Sequence, residues 1–254
     1  MDTSRAGSDV VSRVSALLRA LSDPNAGGAT TSSLARAAGL PRATAHRLLT
    51  SLSAEGLVDR TPDTGLWVLG PELYVLGSIA ASRYDIATTA VDILRELARS
   101  TGESAFLSAR RGDETVVLAS EEGTFPLRSH VLYPGKRLPL GIASAGLVLL
   151  AHLPDTEIDR YLERTDLEGE WGEGHSTQGV RGRIAETRVH GYSVNPALLV
   201  EGSWGIGAAV FDRAGRPEWA LSLNGVQTRF SATRRPQLGE ALLRAAHDLT
   251  KRVR

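Results

Sequence analysis

The segment 31–70 constrains the fold of this chain more than any other part of the sequence. Its letters are TSSLARAAGLPRATAHRLLTSLSAEGLVDRTPDTGLWVLG. A serine and threonine cluster opens it, and Gly39 and Pro41 separate two runs with apolar residues at helical spacing. Turn residues at 62–65 then predict a hairpin over 57–69. Helix, tight turn, helix and hairpin are the order of a winged helix-turn-helix, which predicts a unit that places a helix in the DNA major groove.

The second helix of this pair is predicted to carry the DNA contacts. Its apolar residues share one face and are expected in the core: Ala45, Leu48, Leu49 and Leu52. The predicted DNA-binding residues lie on the opposite face and on the hairpin: Arg42, Thr44, His46, Arg47, Thr50 and Arg60. Arginine can bind guanine or phosphate through two N–H groups at once. A solvated face is the alternative for the helix, and an exposed strand charge is the alternative for Arg60.

An amphipathic pattern upstream predicts a further helix that covers this pair. Its apolar positions are Val10, Val11, Val14, Leu17, Leu18 and Leu21. Residues 1–8 are expected to form a disordered tail. Residues 9–70 are then predicted to be a complete winged helix-turn-helix domain.

The rest of the chain predicts a short helix and a second domain. An apolar stripe at Leu73, Leu76 and Ala80 predicts the short helix within residues 71–83. Residues 84–254 alternate between helical and strand patterns, which predicts an α+β domain with an antiparallel sheet flanked by helices. A long helix is predicted from the stripe Ile86, Ala90, Ile93, Leu94 and Leu97. Strands are predicted at SAFLSAR, ETVVLAS and LRSHV and on both sides of the turn RAGR, and further helices at about 144–152, 155–164 and 177–190 and at the end of the chain.

Composition limits the classes of protein that this chain can belong to. A chain of 254 residues with 42% hydrophobic residues can form one large domain or two small ones. It contains no apolar run long enough for a membrane span and no signal-peptide pattern, so a cytoplasmic protein is expected. The absence of cysteine excludes disulfides and thiolate metal sites. A net charge of zero favours a local basic face over non-specific coating of nucleic acid.

Motifs that would indicate an enzyme are incomplete. The segment around Ser144 has the spacing GxxSxG instead of the GxSxG of a nucleophile elbow. Lys136 lacks the residues of a phosphate loop, and Gly205 and Gly207 lack the third glycine of a dinucleotide site. The six histidines have no paired metal-ligand spacing. No catalytic residue, metal or cofactor is therefore expected, and Ser144 is interpreted as a helix cap beside a ligand cavity.

Six segments in order resemble one known family. They are GLPRATAHRLL, SLSAEGLVDR, LGPELYVLG, PGKRLPLGIASAGLVLLAHLP, HGYSVN and GIGAAVFDRAGRPEWALSLNG. Over most of residues 10–250 the chain resembles transcription regulators of the IclR family. The resemblance implies that the helix at 71–83 is a linker helix, although its apolar stripe could equally pack on its own domain. It also implies a GAF-like effector-binding domain at 84–254, and a homodimer or homotetramer that binds double-stranded DNA at a pseudo-palindromic operator. Ala43 stands where the family commonly has serine, so specificity is expected to depend more on the neighbouring polar residues.

The resemblance also implies a site for a small-molecule effector that modulates operator affinity. The residues expected there are Ser144, Ala145, Gly146, Leu199, Trp204, Ala209, Ser222 and Asn224. After HGYSVN the family commonly carries acidic residues, whereas this chain has PALLV. Leu198 and Leu199 beside Trp204 predict an apolar wall, and sealing of the core is the alternative for these leucines. An apolar wall predicts a catabolic intermediate with an apolar or aromatic part and a polar head near Ser222 and Asn224. Arg128 and His130 are candidates to meet a carboxylate, and exposed strand residues are the alternative.

Two other classes of function stay open. The first is a ligand-binding or assembly protein without specific DNA binding, which the weak basicity of residues 31–60 supports: four arginines stand against two acidic residues, a surplus of two. The second is a hydrolase that carries a vestigial winged helix. The sequence does not identify the effector, the operator or the regulated genes, and it does not distinguish a repressor from an activator or a dimer from a tetramer.

Overall fold

The computed structural model describes residues 3–22, 27–81, 86–127 and 131–253. The chain divides into two compact units, residues 1–84 and residues 85–254. Within the described ranges, no helix has the length and apolar character that crossing a membrane requires.

The first unit is a winged helix-turn-helix followed by a helix. Its elements are α1 (Thr3–Leu21), α2 (Thr31–Ala37), α3 (Arg42–Ala54), β1 (Val58–Arg60), β2 (Trp67–Leu69) and α4 (Pro71–Ala81). Strands β1 and β2 pair antiparallel and form the predicted hairpin. Leu17, Leu34, Leu49 and Trp67 are buried together between the helices and the hairpin. The sequence prediction of this fold is therefore confirmed.

Local chemistry explains where these helices begin and end. Gly39 has a φ of 63°, which places the turn between α2 and α3 in the left-handed region that favours glycine. The hydroxyl of Thr30 caps α2 by accepting from the Ser33 backbone N–H at 3.1 Å. The cap thus lies just before the predicted cluster 31–33. Similarly, Pro41 is the N-cap residue of α3, not its first helical residue.

The N-terminal helix is longer than its apolar pattern predicts. Helix α1 begins at Thr3, whereas the tail was expected to extend over residues 1–8. An ion pair between Asp9 and Arg13, one helical turn apart, joins exposed turns of this helix. Polar turns can extend a helix beyond the part that packs on the core. Such turns lack apolar residues at helical spacing, so the apolar pattern does not predict them.

The second unit combines a six-stranded antiparallel sheet with helices on both faces. Its elements are α5 (Ile86–Thr101), β3 (Ser104–Arg111), β4 (Glu114–Glu121), β5 (Arg137–Pro139), α6 (Ser144–Ala151), α7 (Asp155–Arg164), α8 (Leu167–Trp171), α9 (Thr177–His190), β6 (Ser193–Pro196), β7 (Ser203–Phe211), β8 (Pro217–Val226) and α10 (Arg235–Val253). The strand order is β5-β4-β3-β8-β7-β6. The prediction of an α+β fold with an antiparallel sheet is confirmed.

The two faces of this sheet pack against different helices. Helices α5 and α10 cover one face, where Leu97, Leu242 and Ile206 belong to one buried cluster. Helices α6, α7 and α9 lie on the other side, where Leu149, Ile158 and Ile184 belong to a second cluster. Because side chains alternate along a strand, each strand contributes to both layers.

The structure also corrects part of the strand assignment. The predicted strand LRSHV is wrong at both ends, since Leu127 and Val131 lie in bends, and Arg128 and His130 lie outside the described residues. The short strands β5 and β6 were not predicted. Each has only three or four residues, and strands this short carry too few alternations to be recognised from sequence.

Candidate nucleic-acid interface and ligand cavity

Helix α3 presents a polar face of the kind that the sequence predicts. Arg42, His46, Arg47 and Thr50 are exposed along it, and Thr44 is half-buried at its side. Among the described residues, no acidic side chain forms an ion pair with Arg42 or Arg47. The two guanidinium groups are therefore available to phosphate or base edges.

Two of the predicted DNA-binding side chains make contacts within the unit. The Thr50 hydroxyl donates to the His46 carbonyl at 2.9 Å. The Nε of Arg60 donates to the Gly65 carbonyl at 2.9 Å, and its guanidinium lies 5.7 Å from the centroid of the Trp67 ring. Arg60 is thus held against the hairpin turn, which leaves only its terminal nitrogens for a phosphate.

Trp67 connects the elements of this interface, although the sequence interpretation gave it no role. Its indole N–H donates to the Thr31 hydroxyl at 2.9 Å. The His46 ring is nearly perpendicular to the Trp67 ring, with 6.5 Å between centroids. Trp67 therefore fixes the hairpin relative to α2 and α3. An aromatic residue at the inward position of a two-stranded hairpin was the available signal.

A row of small polar residues crosses the sheet on the side of α6. Two neighbouring sets pair across the strands: Asn195, Gly205 and Asn224, and beside them Ser193, Gly207 and Ser222. Helix α6 covers this row, and the Ser193 hydroxyl donates to the Ser144 carbonyl at 2.7 Å. Small residues let the helix approach the sheet closely, since a Cβ on Gly207 would lie 2.8 Å from the backbone carbonyl of Ser144.

Three buried polar atoms in this region have no hydrogen-bond partner among the described residues. They are the hydroxyl oxygens of Ser144 and Ser222 and the Oδ1 of Asn224. A Cβ atom on Gly205 would lie 3.0 Å from the Ser144 hydroxyl and 2.8 Å from Asn224 Nδ2, so the side chains of Ser144 and Asn224 both lie close to this glycine. Leaving such groups unpaired costs about 1–3 kcal/mol each. Their arrangement suits a ligand that supplies the missing partners.

Apolar side chains lie next to this polar row. Phe106 is the cross-strand neighbour of Ser222 and is buried, and Ala209 follows Gly207 on the same face of β7. Leu199 is half-buried and packs against the cluster on the α6 side. The region between α6 and the sheet thus combines polar and apolar side chains.

Other predicted residues of the site position the helix. Ala145 is buried in the core on the α6 side. A Cβ on Gly146 would lie 3.1 Å from the Leu140 Cα and 3.2 Å from the Pro139 carbonyl, so this glycine lets α6 approach the preceding loop. Ser144 is the first residue of α6, and the N-cap is Ala143. The interpretation of Ser144 as a cap is therefore wrong, and its hydroxyl is left unpaired.

Comparison with known families gives matches in both units. The family described as the IclR helix-turn-helix domain matches residues 10–62. The family described as the C-terminal domain of the bacterial transcriptional regulator IclR matches residues 78–251, which is more than half of the chain. The chain belongs to the IclR family. It is therefore a member of a family of transcriptional regulators and not of enzymes.

Individual relatives agree with this membership over most of their length. The HTH-type transcriptional regulator KipR of Bacillus subtilis is 29% identical over 226 residues, which cover 88% of this chain and 89% of KipR. The transcriptional repressor IclR of Escherichia coli is 28% identical over 240 residues, covering 92% and 86%. The fold matches an IclR homolog from Microbacterium hydrocarbonoxydans, solved in complex with 4-hydroxybenzoate, with a TM-score of 0.74, 24% identity and coverage of 96% and 98%.

One residue expected in the cavity of this IclR-family protein lies elsewhere. Trp204 precedes Gly205 on β7 and therefore faces the layer of α5 and α10. Its ring lies 5.2 Å from the guanidinium of Arg235 on α10. Trp204 is thus separated by the sheet from Ser222 and Asn224. The residues that the sequence interpretation missed, Ser193, Asn195, Gly205 and Gly207, stand at alternate positions of SVN and GIG.

A buried histidine lies against the loop that leads into α6. The Nδ1 of His175 lies 3.0 Å from the Trp171 carbonyl, and its Nε2 lies 3.4 Å from the Ile142 carbonyl. Asn195 donates to the same Ile142 carbonyl. Burial lowers the pKa of His175 below its usual value. His175 and Asn195 therefore hold the loop that leads into α6.

Acid is expected to destabilise this unit through His175. Since its pKa is lower in the folded state than in the unfolded state, the unfolded chain binds the proton more readily, and the free energy of unfolding falls as the pH drops below about 6.5. Urea unfolding at pH 7.5 and pH 5.5 should show a smaller fall for His175→Gln than for the parent. The exposed His247→Gln should behave like the parent. An equal fall in all three proteins would contradict a role for His175.

Proposed function

We propose that this chain is a sequence-specific DNA-binding regulator whose operator affinity changes when a small-molecule effector binds between α6 and the sheet. Helix α3 reads base edges through Arg42, Thr44, His46 and Arg47, and Thr50 and Arg60 contribute at the edges of this surface. The exposed polar face of α3 and the free guanidinium groups among the described residues support this assignment. The DNA partner is double-stranded.

The single observation that carries the effector proposal is the set of unpartnered atoms at Ser144, Ser222 and Asn224. A ligand with a polar head would pair with them, and its apolar or aromatic part would lie against Phe106 and Leu199. The Microbacterium homolog binds 4-hydroxybenzoate, a molecule with this division into a polar end and a ring. The effector is accordingly proposed to be a catabolic intermediate with an apolar or aromatic part.

A homodimer is proposed to carry the two reading helices. Helix α4 exposes a run of large apolar residues, among them Tyr74 at 80% and Ile79 at 70% exposure, and of its predicted stripe only Leu73 is half-buried. Exposed apolar surface of this kind supports association. A dimer would place two copies of α3 about one helical turn apart on a pseudo-palindromic operator. An effector changes DNA affinity to the extent that it favours one spacing over another, and pairs of dimers would form tetramers.

Aromatic acids are expected to stabilise the protein against heat. A ligand at about one hundred times its Kd adds roughly 2.7 kcal/mol to the free energy of unfolding, which corresponds to a rise in Tm of several degrees. Thermal unfolding with 4-hydroxybenzoate should show this rise for the parent and for Ser100→Ala on α5. Ser222→Val should show a clearly smaller rise than the parent does. If only glyoxylate or pyruvate raised the Tm, the apolar effector class would be wrong.

A further inference from the structure

A cavity lies at the edge of the sheet, on the other side of β6 from the effector region. It has a volume of about 360 Å³ and lies between α9, β6 and the start of α10. Its lining residues are Arg183, Glu186, His190, Tyr192, Val194, Pro196, Ala232, Arg235 and Pro236. We propose that this edge cleft binds a small organic carboxylate that carries a ring.

Nitrogen donors without partners supply the first argument. The Nη1 of Arg183 and the Nε of Arg235 belong to lining residues, are buried and have no hydrogen-bond acceptor among the described residues. Arginine nitrogens can only donate, so each requires an acceptor. Two unpaired donors on the lining side chains call for a ligand rich in acceptor oxygens, such as a carboxylate.

The two arginines are held in place by other contacts. Arg183 donates from Nη2 to the Gly174 carbonyl at 3.1 Å, which leaves Nη1 as its free end. Arg235 lies with its guanidinium 5.2 Å from the centroid of the Trp204 ring. Burial lowers the pKa of Arg183, which shows that water no longer solvates this cation well. A bound anion would compensate this cation for the hydration that it loses on burial.

The charge of the lining matches a single negative charge. Arg183 and Arg235 contribute two cations, and Glu186, which is exposed, contributes one anion. With His190 neutral, the lining carries one net positive charge. A monocarboxylate balances this charge, whereas a doubly charged phosphate would exceed it.

Rings and prolines form the remaining walls. Tyr192 lies beside His190 with 5.9 Å between ring centroids, and Pro196 and Pro236 complete the apolar surface. The volume is near the lower end of the range of about 300–1,000 Å³ for small-molecule sites. These walls suit a flat ring attached to the carboxylate.

The edge cleft is distinct from the effector cavity because residues alternate along β6. Val194 and Pro196 line the cleft, whereas Ser193 and Asn195 face α6 and the effector region. The two sites therefore share a strand but no side chain of that strand. A ligand in the cleft can be tested after the effector cavity has been filled by mutation.

Benzoate and its neutral isostere benzamide test the edge cleft directly. Isothermal titration uses the full chain carrying Ser222→Val, so that the polar row of the effector cavity is blocked. Benzoate is expected to bind this protein at least tenfold more tightly than benzamide does. Adding Arg235→Gln or Arg183→Gln should weaken benzoate binding by roughly tenfold to a hundredfold, the loss expected for a hydrogen bond to a charged group.

Controls separate the cleft from general effects of charge and folding. Arg181→Gln removes a neighbouring arginine on α9 that pairs with Asp159 and does not line the cleft, so benzoate affinity should be unchanged. Arg235→Lys keeps the charge and should retain more affinity than Arg235→Gln, which tests the site even if an Arg183 variant fails to fold.

Equal binding of benzoate and benzamide, or no binding to the Ser222→Val protein, would overturn the proposal. The proposal would also be overturned if Arg235→Gln left the affinity for benzoate unchanged and altered only the oligomeric state of the protein. Failure of the effector proposal alone would leave these results unchanged.

Discussion

Arg47→Ala is expected to weaken binding to the operator by about tenfold to a hundredfold. Arg47 is exposed on α3, and among the described residues it has no acidic partner. One arginine that donates to guanine through two N–H groups contributes about 1–3 kcal/mol of discrimination, and a dimer would lose this contact twice. A gel-shift titration with DNA from upstream of the protein's own gene measures the loss. The salt concentration must be fixed, because phosphate contacts make the affinity depend on it.

A matched arginine from the same unit serves as the control. Arg13 lies on α1 and pairs with Asp9. Arg13→Ala should leave operator affinity close to that of the parent, since exposed ion pairs contribute little to stability. If Arg47→Ala bound as tightly as the parent, Arg47 would not be a DNA contact. Equal losses in both variants would indicate a general effect of charge on the helix-turn-helix unit.

The second large effect is expected from Glu103, which anchors the start of β3. Its side chain is only 1% exposed and accepts from Arg229 Nε at 2.8 Å and from Arg234 Nη1 at 2.6 Å. Glu103→Ala would leave two partly buried cations without their anion. Removing one partner of a buried ion pair costs roughly 3 kcal/mol, which corresponds to a fall in Tm of roughly 6–12 °C for a domain of this size. Thermal unfolding followed by circular dichroism measures it.

The control for Glu103 is a glutamate in an exposed pair. Glu96 pairs with Arg99 on the surface of α5, where both side chains are mostly exposed. Glu96→Ala is expected to change the free energy of unfolding by less than about 0.5 kcal/mol. Similar losses from the two variants would contradict the assignment of a structural role to the buried cluster.

The helix-turn-helix could be predicted from the sequence because its signals are local. Gly39 marks the turn and Pro62–Gly65 mark the hairpin, and each depends only on the conformation of a few neighbouring residues. Thr30 and the early start at Thr3 were missed for a related reason. Both residues mark the N-terminal end of a helix, and helix propensity determines the exact ends of a helix only weakly.

The candidate effector site could be predicted only in part, because the pairing register of a sheet cannot be deduced from the sequence of a single strand. Ser222 and Asn224 share a face by their spacing, and their burial on the α6 side agrees with the expected site. Trp204 was assigned to the wrong face because a shift of one position along a strand reverses the direction of a side chain. Ser193 and Asn195 became neighbours of the site only when β6 paired with β7.

The most direct test of the account is a footprint of the full chain on DNA upstream of its own gene, with and without 4-hydroxybenzoate. The account predicts protection of a pseudo-palindromic sequence and a change in DNA affinity of about fivefold or more when the ligand is added, the usual range of allosteric coupling. Ser222→Val should protect the same sequence with little response to the ligand. The absence of sequence-specific protection would contradict the regulator proposal. A ligand response that is the same in Ser222→Val and the parent would contradict the proposed effector cavity.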